Sequence, residues 1–126
     1  MSENENGPDD EQRQATAAFL KGVEDPLANM VRADAGNLLI HLRRHPNVRA
    51  HWLVWLVQDP DRIWEHTEGA ARQVYERSCP APSGPTRVML IAARHPDGRL
   101  WLVTAFVPRK ADFWDRVVGR RLYIRE

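Results

Sequence analysis

The chain has one cysteine, very little lysine and no apolar run near the ~20 residues that span a bilayer. Each shortage excludes something. A lone Cys79 can form no internal disulfide and no thiolate metal cage, which fits a reducing compartment. The opening MSENENGPDD is acidic and polar, unlike a signal peptide, so the expected location is cytoplasmic, with no membrane partner. At 126 residues the chain has room for one domain and not for two.

What is present is arginine, unevenly balanced by acid. Residues 1–14 carry five acids against Arg13, a net of −4, so residues 15–126 carry +5. Of the 17 basic residues in that second part, 15 are arginine, whose planar fork binds phosphate at two points and stacks on bases. The pattern is compatible with a nucleic-acid ligand without being specific for one. Residues 1–14 are poor in apolar side chains and are expected to be a disordered acidic tail, leaving 15–126 as the single domain.

Periodicity then sorts the segments. ATAAFLKGVE places Ala15, Ala18, Phe19 and Val23 on one helical face, and Asp25-Pro26 breaks it. A short strand is expected through Met30 and Val31, followed by a helix from about Gly36 to Arg44, capped by Asp34 and ended by Pro46. Trp52–Val57 is apolar without a break and reads as a buried helix. The rest reads as a meander. RIWEH and RQVYERS flank the turn-prone TEGA, CPAPSGPT is a loop, and RVMLIAA and LWLVTAF are joined by the turn RHPDGR. ADFWDRVVG is expected to close as a short amphipathic helix with Gly119 at its C-terminus. Helices first and about four antiparallel strands afterwards make an α+β pattern.

Arg-His-Pro occurs twice, and context separates the copies. His95 lies in the turn of the clearest hairpin, where Pro96 presets φ and Asp97-Gly98 reverses the chain, so turn chemistry explains it. His45 ends a helix, where the dipole favours an imidazolium that can hold or donate a proton. A favourable helix end with no chemistry is the plain reading of the same residue. His41 sits four residues earlier on that face, but no Glu completes an HExxH motif and no third ligand is marked, so no metal site is expected. In VTAFVPRK, Thr104 interrupts an apolar strand and Arg109-Lys110 follow directly after Pro108, a set that could hold a phosphate. Tyr75 and Arg77 alternate along their strand and share a face. If the strands pair as read, the two sets converge.

With NLLIHLRRHPNV, DPDRIW, QVYERS and RLWLVTAFVPRK in this order, residues 28–123 resemble the phage-associated branch of the barnase, EndoU, colicin and RelE-like nuclease superfamily. That resemblance implies helices preceding a curved antiparallel sheet of about four strands, holding an RNA-cutting site that needs no metal or cofactor. It places His45 at the family's histidine with Arg44 beside it, Thr104 at the strand threonine, and Tyr75 and Arg77 at the basic or aromatic strand positions. Such an enzyme lets the RNA 2′-hydroxyl attack its own phosphate, so it needs a base, an acid and charge stabilisation. The implied roles are base or acid for His45, phosphate stabilisation for Arg77 with Arg109 or Lys110 in reserve, and hydrogen bonding for Thr104 and Tyr75. An antitoxin or immunity protein is a possible partner of such a toxin-like RNase. Glu65, His66 and Glu76 lie nearby in sequence, yet no motif marks any of them as the second acid–base group.

Two other readings stay open. A binding module on the same fold, with catalysis lost, suits the missing acid–base partner. A partner-binding protein could use its tryptophans as an interface, although Trp52, Trp55, Trp64, Trp101 and Trp114 all fall in apolar segments and are more simply core.

Overall fold

Helix α1, Pro8–Lys21, leads into strands β1, Val23–Glu24, and β2, Met30–Arg32; helices α2, Ala35–Arg44, and α3, Ala50–Gln58, follow. Five strands follow among the described residues: β3, Arg62–His66; β4, Gly69–Cys79; β5, Thr86–Arg94; β6, Leu100–Phe106; and β7, Val118–Ile124. The structure, a computed structural model, describes residues 8–67, 69–108 and 116–125.

The α+β class holds, but the sheet is larger than four strands and is mixed. Its order is β1-β2-β6-β5-β4-β3-β7. All neighbours run antiparallel except β2 and β6, which pair through Val31↔Leu100 and Arg32↔Trp101. Parallel neighbours need a long crossover, and here α2, α3 and three strands supply it.

Local chemistry explains the elements that match expectation. Asp34 accepts from the Gly36 N–H at 2.9 Å and starts α2, and His45 closes it with its own N–H donating to the His41 carbonyl. Gly98 takes φ +87° in the β5–β6 turn, where its N–H donates to the His95 carbonyl at 2.8 Å. Three expectations are corrected. Residues 8–14 are helix and not tail, because Ala15 and Phe19 of the same helix are buried and Glu11 is tied to Arg49 and His51. The expected C-terminal helix falls on residues 111–115, outside the described residues, and on Arg116 and Val117, which are helical. It stops there, since Val118 onward is strand β7 on the edge of β3. Gly119 therefore ends no helix; a Cβ there would meet the Glu65 carbonyl oxygen at 3.2 Å, so its smallness serves strand approach.

The sheet has two unlike faces. One carries Tyr75, Cys79, Val88, Leu90, Leu100 and Ala105 against the helices, whose buried contributions include Phe19, Leu38, Trp52 and Leu56. The other carries a smaller cluster of Val74, Met89, Ile91 and Val117, flanked by Trp64, Val103, Phe106 and Val118. Because side chains alternate along a strand, that second face also receives Glu76 and Arg62.

Candidate functional site

Register lays out the second face in rows. Arg62 pairs with Glu76, Glu76 with Met89, and Met89 with Phe106, so these four residues run side by side across β3, β4, β5 and β6. Trp64, Val74, Ile91 and Thr104 form the neighbouring row. Ser78 and Arg87 pair on the opposite side of Glu76.

Glu76 is the chemical centre of this face. It is 3% exposed, and its carboxylate is held by three donors from two neighbouring strands. Oε1 accepts from Trp64 Nε1 at 3.0 Å and from Arg62 Nη1 at 3.4 Å, while Oε2 faces Arg87 Nε at 3.5 Å. A buried charge survives only when it is paired and hydrogen-bonded, and these partners meet that condition. Both guanidinium groups reach out to solvent, Arg62 41% and Arg87 56% exposed in their side chains. The group forms the floor of a cavity of about 500 Å³, walled by Asp61, Ser78, Pro85, Ile124 and Arg125. Arg125 is anchored at the mouth by Asp59 Oδ2 at 2.9 Å and by Asp61.

The residues expected from sequence do not gather here. Tyr75 and Arg77 share a face, as expected, but it is the helix-covered one, because their partners Leu90 and Val88 belong to the main core. Thr104 pairs with Ile91 on the second face, so the two sets lie on opposite sides of the sheet and do not converge. Tyr75 is fully buried; its hydroxyl donates to Asp25 Oδ2 at 2.6 Å and has the Gln73 amide at 3.0 Å. Burial first, and the Asp25 charge second, push its phenol above the ordinary tyrosine range. Arg77 lies 5.6 Å over the Trp55 ring and donates to the Asp59 carbonyl and to Asp59 Oδ2, a clamp on the end of α3. Thr104 is half-buried two strands and one row from Glu76. Arg109 and Lys110 lie outside the described residues.

His45 occupies a third place. Its ring sits 6.3 Å from that of Phe106, at the far end of the Glu76 row, and Arg44 beside it is exposed. His41 is driven toward its neutral form, first by burial and then by the charges of His45 and Arg44. His95 is exposed in its turn and tilts against Trp101 at 5.6 Å. Among the described residues, no three His, Cys, Asp or Glu side chains are grouped to hold a metal ion. No described helix is long and apolar enough to cross a membrane.

The sequence carries no clear mark of the group around Glu76, because Arg77 lies between Tyr75 and Cys79 on the helix-covered face of β4 while apolar Val74 shares the face of Glu76. Arg62 and Arg87 come from separate strands and carry no mark either. No family model, curated protein or solved structure matches the chain.

Proposed function

We propose that the protein is a metal-independent ribonuclease with Glu76 as its base, in line with the resemblance to the barnase, EndoU, colicin and RelE-like nucleases. One observation carries the reading: a buried carboxylate held between two solvent-reaching arginines at the floor of an open cavity. A phosphodiester entering there takes hydrogen bonds from Arg62 and Arg87. As the guanidinium groups turn to the phosphate, the Glu76 oxygens that faced them become open to the 2′-hydroxyl. Glu76 then removes the 2′-hydroxyl proton, the 2′-oxygen attacks phosphorus, and the bond from phosphorus to the 5′-oxygen breaks. Both arginines bear the charge that grows on the phosphorane, and water in the open cavity protonates the leaving oxygen. The products are a 2′,3′-cyclic phosphate and a free 5′-hydroxyl.

In a reducing cytoplasm such an enzyme acts on the RNA of the cell that makes it. A toxin-like role with a protein inhibitor over the cavity follows from that chemistry.

A second reading, binding without cleavage, is favoured by the absence of histidine from the described cavity lining. Incubation of the protein with total RNA in EDTA separates the two. Cleavage to cyclic-phosphate ends, lost in Glu76→Gln, supports the enzyme; RNA bound and recovered whole supports the binding module; RNA neither cut nor bound sinks both.

A further inference from the structure

The donors around Glu76 are of two kinds. Arg62 and Arg87 are charged, reach solvent and line the cavity, whereas Trp64 is neutral, half-buried and not part of the lining. Trp64 and Arg87 approach from opposite sides along β4. Trp64 pairs with Val74, two residues before Glu76, and Arg87 pairs with Ser78, two residues after it. Diagonal neighbours at that spacing lie about 7–8 Å apart, within reach of an indole or a guanidinium. Ser78 and Arg87 line the cavity and Val74 does not, so the cavity opens on the Ser78 side of Glu76. Oε2, facing Arg87 at 3.5 Å, is therefore the oxygen turned toward the cavity. Oε1 is turned back to Trp64 Nε1 at 3.0 Å, with Arg62 reaching it more loosely at 3.4 Å. The Trp64 ring packs against the cluster of Val74, Met89, Ile91 and Val117. An indole N–H can only donate, and packing fixes where this one points.

We propose that Trp64 is a positioning residue: it holds Glu76 by Oε1 and leaves Oε2 as the atom that takes the 2′-hydroxyl proton. This role rests on the reading of Glu76 as the base. A phosphodiester draws both guanidinium groups from the carboxylate, because it offers each a second charged acceptor. It offers no such exchange to an uncharged, packed indole that stands off the cavity wall. Once the arginines have turned, the Trp64 bond is the donor that remains, among the described residues, on a carboxylate 3% exposed. Without it the carboxylate is free to rotate about its last bond, and a rotating base spends less time aligned with the 2′-hydroxyl. Trp64 touches neither RNA nor the reacting atoms, and it acts through Glu76.

The test replaces Trp64 in the full chain by benzothienylalanine, which keeps the shape of tryptophan and puts sulfur where the N–H was. Thermal melting checks that this variant, Trp64→Phe and Glu76→Gln fold. On a labelled oligoribonucleotide the sulfur variant should lower kcat about tenfold, the worth of one hydrogen bond to a charged group, with KM within about twofold of the parent. Heteronuclear NMR of the indole N–H groups reads the bond without cleavage, the Trp64 signal being assigned by its loss in Trp64→Phe. That signal should move in Glu76→Gln and stay in place when a 2′-deoxy oligonucleotide, which lacks the 2′-nucleophile, saturates the cavity. A parent-like kcat in the sulfur variant, or a loss carried mainly by KM, overturns the role. A Trp64 signal that ignores Glu76→Gln, or that moves as far with the oligonucleotide as in Glu76→Gln, also overturns it. No RNA cut by the unmutated protein, with the signal responsive to Glu76→Gln and steady under the oligonucleotide, keeps the hold on Glu76 and removes the cleavage reading.

Discussion

The Tyr75 hydroxyl donates to Asp25 Oδ2 at 2.6 Å, tying the centre of β4 to the loop that joins β1 and β2. Asp25 is itself 4% exposed and turns that loop by accepting from the Leu27 and Asn29 N–H groups on its other oxygen. Tyr75→Phe removes one donor from a buried carboxylate and should lower stability by about 1–3 kcal/mol. Urea unfolding measures this; a midpoint unchanged from the parent would mean that Asp25 is supplied from elsewhere.

Arg77 and Arg87 give opposite expectations although both are strand arginines near the same loop. Arg77→Lys loses the planar fork over Trp55 and the bonds to Asp59, and should lower stability by ~1 kcal/mol without changing the kcat for RNA. Arg87→Lys keeps the charge near Glu76 but loses two-point phosphate binding, and should lower kcat by about tenfold or more. Kinetics and melts on the same preparations decide between them, and a fall in kcat for Arg77→Lys alone would return the site to the helix-covered face.

His41 makes stability fall toward acid. Burial, and then His45 and Arg44, lower its affinity for a proton in the folded chain, so the unfolded chain binds more protons between the two pKa values. Its penalty is absent above the ordinary histidine value of about 6.5 and grows as pH drops through that value toward the lowered one. Melting points of the parent and of His41→Gln from pH 8 to pH 5 should diverge on the acid side, the parent falling faster. Parallel curves would show that His41 titrates as it does in the unfolded chain.

Cys79 should be slow toward thiol reagents. Its side chain is fully buried, and burial pushes the thiol up to about 11, so little thiolate exists at pH 8. A disulfide reagent should label the denatured chain at once and the native chain only at the rate of opening. Prompt labelling of folded protein would place Cys79 nearer solvent.

Much of the fold was legible because some segments carry their own punctuation. Asp34 and Pro46 bracket α2, and Pro96-Asp97-Gly98 fixes the β5–β6 hairpin without help from the rest of the chain. β2, at Met30–Arg32, lies where the short strand through Met30 and Val31 is expected. β1 is two residues long with no local signal, and it exists because Asp25 turns the loop and β2 offers a partner. The start of β7 resembles a helix end in sequence, because Gly119 follows apolar Val117 and Val118, a pattern that suits either period. The candidate site fared similarly. Alternation paired Tyr75 with Arg77 correctly, but only the helices determine which face of β4 they cover, and that choice hides Tyr75 and leaves Glu76 toward the cavity.

The parallel join of β2 to β6 sets an order of events on the ribosome. Val31 emerges long before its partner Leu100, so the helical half of a nascent chain cannot close its sheet edge until β6 has been synthesised. Until then α2 lacks β6, the strand toward which its face of buried Leu38 and Leu42 packs. Synthesis, and not collapse of the first helices, sets the earliest moment at which the domain can be complete.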